Sequence, residues 1–346
     1  MKQTISLILA VLLSISAYSQ LYPYKKNDLW GYIDSTGKEK IMTVFPLAGF
    51  FYEGMAYVQI NDALGYINLR GDLAIKPQYP AAFNFSEGYT SVMINESWGV
   101  INKRGELVIP PIYSAPLVFH DSLARFKLER GLFSTYGYIN PKGDTVLYPK
   151  YEKAGEFHNQ LCMVSEDGLR YGYINTKGKY IIPPVYELGA LIKVNNEYDL
   201  SDKSFSDGYV SFVRNNKFGV FDTTGKVVIE PTFAYIGKFT EGVAPAKMDS
   251  LYGFINPKGE WVIAPQFDGA ERFTHGLAAV AKGKLDEQRW GFINHEGKVV
   301  IPINIYSYYS PYENMVFGDG LVPCYVEKDV FGYINRKGEV VWKLVE

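Results

Sequence analysis

Tyr252-Gly253-Phe254-Ile255-Asn256-Pro257-Lys258-Gly259 is the stretch on which the reading of this chain turns. Aromatic rings alternate with Gly and Ile, so in an extended strand the rings share one face and Gly and Ile the other. A glycine in second place leaves room for a neighbouring backbone or ring to come close. Asn-Pro-Lys-Gly then sets φ near −65° at proline and puts glycine where φ > 0 is needed, which is the chemistry of a hairpin turn with a glycine bulge.

The phrase recurs nine times, with its second-place glycines at Gly31, Gly65, Gly99, Gly137, Gly172, Gly219, Gly253, Gly291 and Gly332. The spacings are 34, 34, 38, 35, 47, 34, 38 and 41 residues, so the unit is about 34 residues and the excess is insertion. Each copy carries the turn glycine: Gly37, Gly71, Gly105, Gly143, Gly178, Gly225, Gly259, Gly297 and Gly338. A β-branched strand follows, as in Val108-Ile109-Pro110-Pro111, and is expected to stop at proline, which lacks the N–H of a central ladder. A second phrase, Phe-x-acid-Gly, stands at Phe51–Gly54, Phe85–Gly88, Phe205–Gly208, Phe239–Gly242 and Phe317–Gly320. It drifts to His120-Asp121-Ser122, His158-Asn159-Gln160 and Thr274-His275-Gly276 in the third, fourth and seventh units, and leads into a third strand.

The expected fold is therefore all-β: residues 20–346 form a single array of nine tandem three-stranded antiparallel meanders, the ninth lacking its third strand. A lone meander cannot bury both faces, so the units must stack, as a propeller-like ring or as an open β-solenoid array. Leu21 to Lys26, LYPYKK, can supply the strand missing from the last unit and so close the ring.

Taken together, the Trp-Gly phrase, the Asn-x-x-Gly turn, the Val-Ile-x-Pro strand and the Phe-x-Glu-Gly strand resemble the bacterial WG-repeat (KWG) family from Leu29 to Val345. Trp itself is kept at Trp30, Trp98 and Trp290, whose rings are expected to be buried between adjacent units, and is replaced by another large apolar residue elsewhere. The resemblance implies a repeat-built, extracytoplasmic interaction scaffold and supplies no catalytic residues.

Residues 1–19 read as a secretory signal peptide: Lys2, the apolar Ile5 to Leu13, and a small-x-small cleavage site at Ala17-Tyr18-Ser19. No later segment is apolar for long enough to span a bilayer, so the mature chain is expected outside the cytoplasm, whether periplasmic, on the outer surface or secreted. With 35 basic and 37 acidic residues the chain has no global field for nucleic acid or anionic lipid. Its 28 Tyr, 21 Phe and 33 Gly favour strands and tight turns over helices.

Nothing in the motifs demands a cofactor, and no metal site or catalytic residue is expected. Four histidines without HExxH or CxxC spacing offer no zinc signature. Cys162 and Cys324 read as small buried hydrophobes. The acids of Phe-x-acid-Gly read as caps of their own hairpins that stay solvated. Binding is expected at the insertions near 190–204 and 306–316. The latter carries Tyr308, Tyr309 and Tyr312, whose large contact area and polar tips suit recognition of a protein or glycan at the cell envelope. The alternative is a hydrolase-type propeller enzyme with acids converging at one end of the ring. An enzyme should break the repeat with polar residues at one register in adjacent units, and the sequence shows no such cluster.

Overall fold

The computed structural model describes residues 20–130, 133–187, 193–194, 197–198, 203–284, 288–306, 320–328 and 330–344. Among these, the chain forms nine antiparallel sheets of three or four strands and one two-stranded ribbon, Lys193–Val194 with Glu197–Tyr198. Every large sheet has a leading, a middle and a trailing strand. In the second sheet these are Met55–Ile60, Ala63–Asn68 and Leu73–Tyr79. Leading and middle strands are joined by Asn61 and Asp62, at φ 49° and 62°, the left-handed pair that a type I′ hairpin requires. Middle and trailing strands are joined by the Asn-x-x-Gly turn. There Asn68 Oδ1 accepts the N–H groups of Arg70 and Asp72 at 2.9 and 3.0 Å, and Gly71 N donates to Asn68 O at 2.9 Å. All nine turn glycines have φ between 75° and 85°, a region costly for residues with a Cβ.

The β-branched strand does not stop at proline. Leu73–Tyr79 runs through Pro77, and Leu107–Tyr113 runs through Pro110 and Pro111. This is a trailing strand at the edge of its sheet, where a missing N–H leaves no ladder bond unmade. The pairing register slips between Leu64 and Tyr66, and this bulge folds the trailing backbone over the middle-strand glycine. A Cβ on Gly65 would lie 2.6 Å from Ile75 O, and one on Gly253 would lie 2.4 Å from Ile263 O. The invariance of this glycine within the chain thus has a steric cause.

The strand after Phe-x-acid-Gly pairs with the next aromatic-Gly strand, so each sheet straddles two sequence units. Tyr22–Lys26 accordingly pairs with Leu29–Ile33 and leads the first sheet instead of completing the ninth. The cause is local: Asn27 and Asp28, at φ 50° and 62°, make the same tight hairpin, which closes at less entropic cost than pairing with the far end of the chain. The ninth sheet, Leu321–Glu327, Val330–Asn335 and Val340–Lys343, has all three strands of its own.

Both faces of the sheets are covered by their neighbours. Tyr32, on one face of the first middle strand, and Ile33, on the other, are both buried. One apolar cluster lies between each consecutive pair of sheets, and a further cluster of Tyr22, Tyr24, Ile33, Leu321 and Tyr333 lies between the ninth and the first. The array is therefore a closed, propeller-like ring. Its seam is sealed by packing of sheet faces and not by a shared sheet.

Candidate functional site

Two kinds of turn share one rim. Lys103, in an Asn-x-x-Gly turn, places Nζ 2.8 Å from Glu53 O and 3.0 Å from Glu53 Oε2, and Glu53 belongs to a Phe-x-acid-Gly turn. The acids of the second phrase do not cap their own hairpins. Among the described residues, five of them accept an amide of the corresponding turn in the next sheet: Glu53 from Gly88, Glu87 from Ser122, Asp121 from Gln160, Asp207 from Gly242 and Glu241 from Gly276, at 2.7 to 3.2 Å. These acids sit at φ of about 50°, in the left-handed region. Burial pushes the Glu53 carboxyl up, but the Lys103 ammonium and the Gly88 N–H outweigh it and hold it below the usual range. The basic residues of the other turn are balanced locally, with Arg70 on Asp72 and Arg104 on Glu106, each at 2.7 Å.

Between the fourth and fifth sheets the rim keeps this contact and adds a cluster of side chains beside it. His120 follows buried Phe119, while Glu156 and His158 flank buried Phe157. Because the two phenylalanines hold equivalent positions in adjacent sheets, their neighbours meet. His120 Nε2 lies 2.9 Å from Glu156 Oε2, and the two imidazole centroids are 4.8 Å apart with planes at 40°. One donor atom from each of the three side chains falls within 4.8 Å of the others. The Glu156 hydrogen bond raises the His120 pKa, whereas burial and the charge of His120 depress that of His158. Burial pushes Glu156 up, but His120, Arg125 and His158 outweigh it and keep the carboxylate ionised. Arg125 lies over the Tyr136 ring at 5.0 Å and donates to Ala154 O.

The sequence reading missed this cluster. Both histidines were visible after the repeat phenylalanine, but their separation of 38 residues looked remote, although one repeat in sequence is one neighbour in space. Glu156 was not singled out. Where it stands before the phenylalanine, other units have Phe50, Asn84, Val118, Ser204, Lys238, Arg272 or Val316. That register varies throughout the chain, whereas the one after the phenylalanine is histidine only in these two adjacent units. The other two histidines do not join them: His295 Nε2 pairs with Glu241 Oε2 at 2.8 Å, and the His275 carbonyl accepts from Arg336.

Tyr308, Tyr309 and Tyr312 lie outside the described residues, as do residues 1–19 and most of both insertions. Tyr306, at the edge of the second insertion, is exposed, with the Arg289 guanidinium 4.3 Å from its ring centroid. Trp98 is buried, whereas Trp30 and Trp290 are half-buried against their inter-sheet clusters. The most enclosed ring of the phrase is its third residue: Tyr32, Tyr66, Tyr138, Tyr173 and Phe254 have no exposure. Cys162 and Cys324 are free and buried, and burial pushes both thiols up to about 12, so neither is a nucleophile at neutral pH.

The family described as WG containing repeat matches residues 30–62, 65–97, 98–131, 136–169, 171–188, 218–252, 252–285 and 290–317. No curated protein matches the chain. Among solved structures, BamB from Moraxella catarrhalis is similar at 13% identity and a TM-score of 0.40, covering 92% of each chain. Apo AztD from Citrobacter koseri is similar at 12% identity and a TM-score of 0.40, over 83% of this chain and 96% of that one. Hsv2 from Kluyveromyces lactis has 10% identity and a TM-score of 0.40, over 80% and 94%.

Proposed function

The chain belongs to the WG containing repeat family, and on that premise we propose that it is a secreted or periplasmic, non-catalytic β-repeat scaffold that binds a protein or glycan at the bacterial cell envelope. The observation that carries this reading is where the repeated acids go. A hydrolytic ring enzyme would leave carboxylates from several sheets free to converge on a substrate, whereas five of them here hold backbone amides of the neighbouring sheet. The regular part of the sequence is spent on building the ring, and recognition falls to positions that depart from it. The tyrosine-rich insertion is one such departure. Large apolar side chains also stand exposed on trailing strands, including Met42, Ile112, Tyr148 and Val185, and offer further contact area.

The leader peptide supports the address, since its charged start, apolar stretch and cleavage site occur together. The reading is tested by affinity capture from an envelope extract of the producing cell. The mature chain is compared with a Tyr308→Ser, Tyr309→Ser, Tyr312→Ser variant of unchanged melting temperature. A protein or glycan retained by the parent and lost by the variant is the expected result. Identical captures by both, or turnover of envelope polymers by the purified chain, would overturn it.

A further inference from the structure

We propose that His120, Glu156 and His158 form a binding site for a divalent transition-metal ion of the zinc class. Two imidazole nitrogens and one carboxylate oxygen are the donors that such ions prefer. Calcium and magnesium are disfavoured, because they require oxygen donors and, for calcium, six to eight of them. The three donor atoms already lie within 4.8 Å of one another. A tetrahedral ion with bonds of about 2.0–2.2 Å sets its ligands about 3.5 Å apart, so side-chain rotations of about an ångström complete the site without backbone movement.

The backbone that carries the donors is held from several directions. Ser86 Oγ donates to Phe119 O at 2.7 Å, and the Tyr138 hydroxyl donates to Gly155 O at 2.8 Å, next to Glu156. Asp121 Oδ2 accepts from Gln160 N at 2.7 Å and ties the two turns to each other. Phe119 and Phe157 anchor the donors from below, both fully buried. A rigid support of this kind keeps donors in place before the ion arrives. On the other side the cluster opens to solvent: the His120 and Glu156 side chains retain 30% and 34% of their accessible surface, which leaves a coordination position for water.

The placement is also singular within the repeat. The residue after the buried phenylalanine is serine or threonine at Ser86, Ser206, Thr240 and Thr274, and becomes histidine in two consecutive units. Those two units are neighbours in the ring, and the glutamate that joins them comes from the second. A simple His120–Glu156 ion pair explains two of the three residues and gives no part to His158.

The test uses the mature chain, free of any affinity tag and stripped with a chelator, titrated with Zn²⁺ by calorimetry and with Co²⁺ by visible absorption. The expected result is one equivalent of metal per chain, with affinity weakened at least about tenfold in His158→Ala, His120→Ala and Glu156→Gln, given that even outer partners of a metal site contribute that much. His295→Ala, which removes a histidine from a different rim contact, keeps the parent affinity. Absence of metal binding by the parent overturns the proposal, and this outcome does not depend on whether any variant folds. Equal affinity in the parent and His158→Ala, with both melting alike, overturns it as well and marks the cluster as an ion pair only.

Discussion

At the junction between the second and third sheets, Tyr66 is fully buried, donates its hydroxyl to Phe83 O at 2.7 Å and packs on Phe85 at 4.9 Å between ring centroids. At the seam between the ninth and first sheets, Tyr333 is buried to within 1%, donates to Pro23 O at 2.8 Å and packs on Tyr22 at 5.6 Å. Tyr32, Tyr138 and Tyr173 bond forward in the same way, to Gly49, Gly155 and Lys203. Each junction has a second fastening among the described residues: Glu53 accepts from Gly88 N in the first, and Leu321 N donates to the Tyr22 hydroxyl at the seam. Closure therefore uses the packing that holds any two consecutive sheets, and the ends of the chain need no common sheet.

The largest expected effect is from truncating the two tyrosines. Tyr66→Ala and Tyr333→Ala should each destabilise by about 3–5 kcal/mol in chemical denaturation, as buried aromatic truncations do. A seam that costs much less than the internal junction would break the equivalence. Next come the middle-strand glycines. Gly65→Ala meets Ile75 O at 2.6 Å and Gly332→Ala meets Trp342 O at 2.5 Å, so both should lose about 1–3 kcal/mol, the range of overpacked sites. Gly259→Ala, with φ of 80° but no atom nearer than 3.5 Å, should lose about 1 kcal/mol and Lys258→Ala almost nothing.

A smaller effect distinguishes the first sheet from the second by pH. The first sheet has Asp34 where the second has Asn68. Burial pushes the Asp34 carboxyl up, but hydrogen bonds from Thr36, Lys40 and Lys38 outweigh it and bring it to about 2. Its folded pKa lies below the unfolded value, so its contribution is complete above pH about 4 and is lost as pH falls toward 2. Denaturation across that range should show about 1 kcal/mol more loss in the parent than in Asp34→Asn, which keeps the other carboxylates. The smallest effect is at the second insertion, where replacing Tyr308, Tyr309 and Tyr312 by serine should shift stability by less than about 0.5 kcal/mol.

Much of the fold was legible because short-range chemistry decides it. Gly253 and Gly259 have different reasons to be glycine, close backbone approach and left-handed φ, and both reasons can be read from their places in the alternation. Four features were not legible. Whether Pro77 ends a strand depends on whether that strand is an edge, which is a property of the sheet. Whether Tyr22–Lys26 completes the first or the last sheet depends on a two-residue hairpin, Asn27-Asp28, that resembles an ordinary polar linker. The meeting of His120 with His158 depends on sheet stacking, which turns a separation of 38 residues into contact. The rim acids were misread for the same reason, since their partners lie in the next sheet.

Ring closure is tested most directly by a cysteine pair across the seam. A side chain at Gly320 would place its Cβ 2.8 Å from the Cβ of Ser35, close enough for a disulfide after an outward adjustment of about 1 Å. Cys162 and Cys324 are buried and leave the new pair to react on its own. Under mild oxidation, Ser35→Cys with Gly320→Cys should form an intramolecular disulfide in nearly every monomer, seen as faster migration on a non-reducing gel, while either single variant stays reduced. A double variant that remains reduced, or that links only between molecules, would contradict the closed ring.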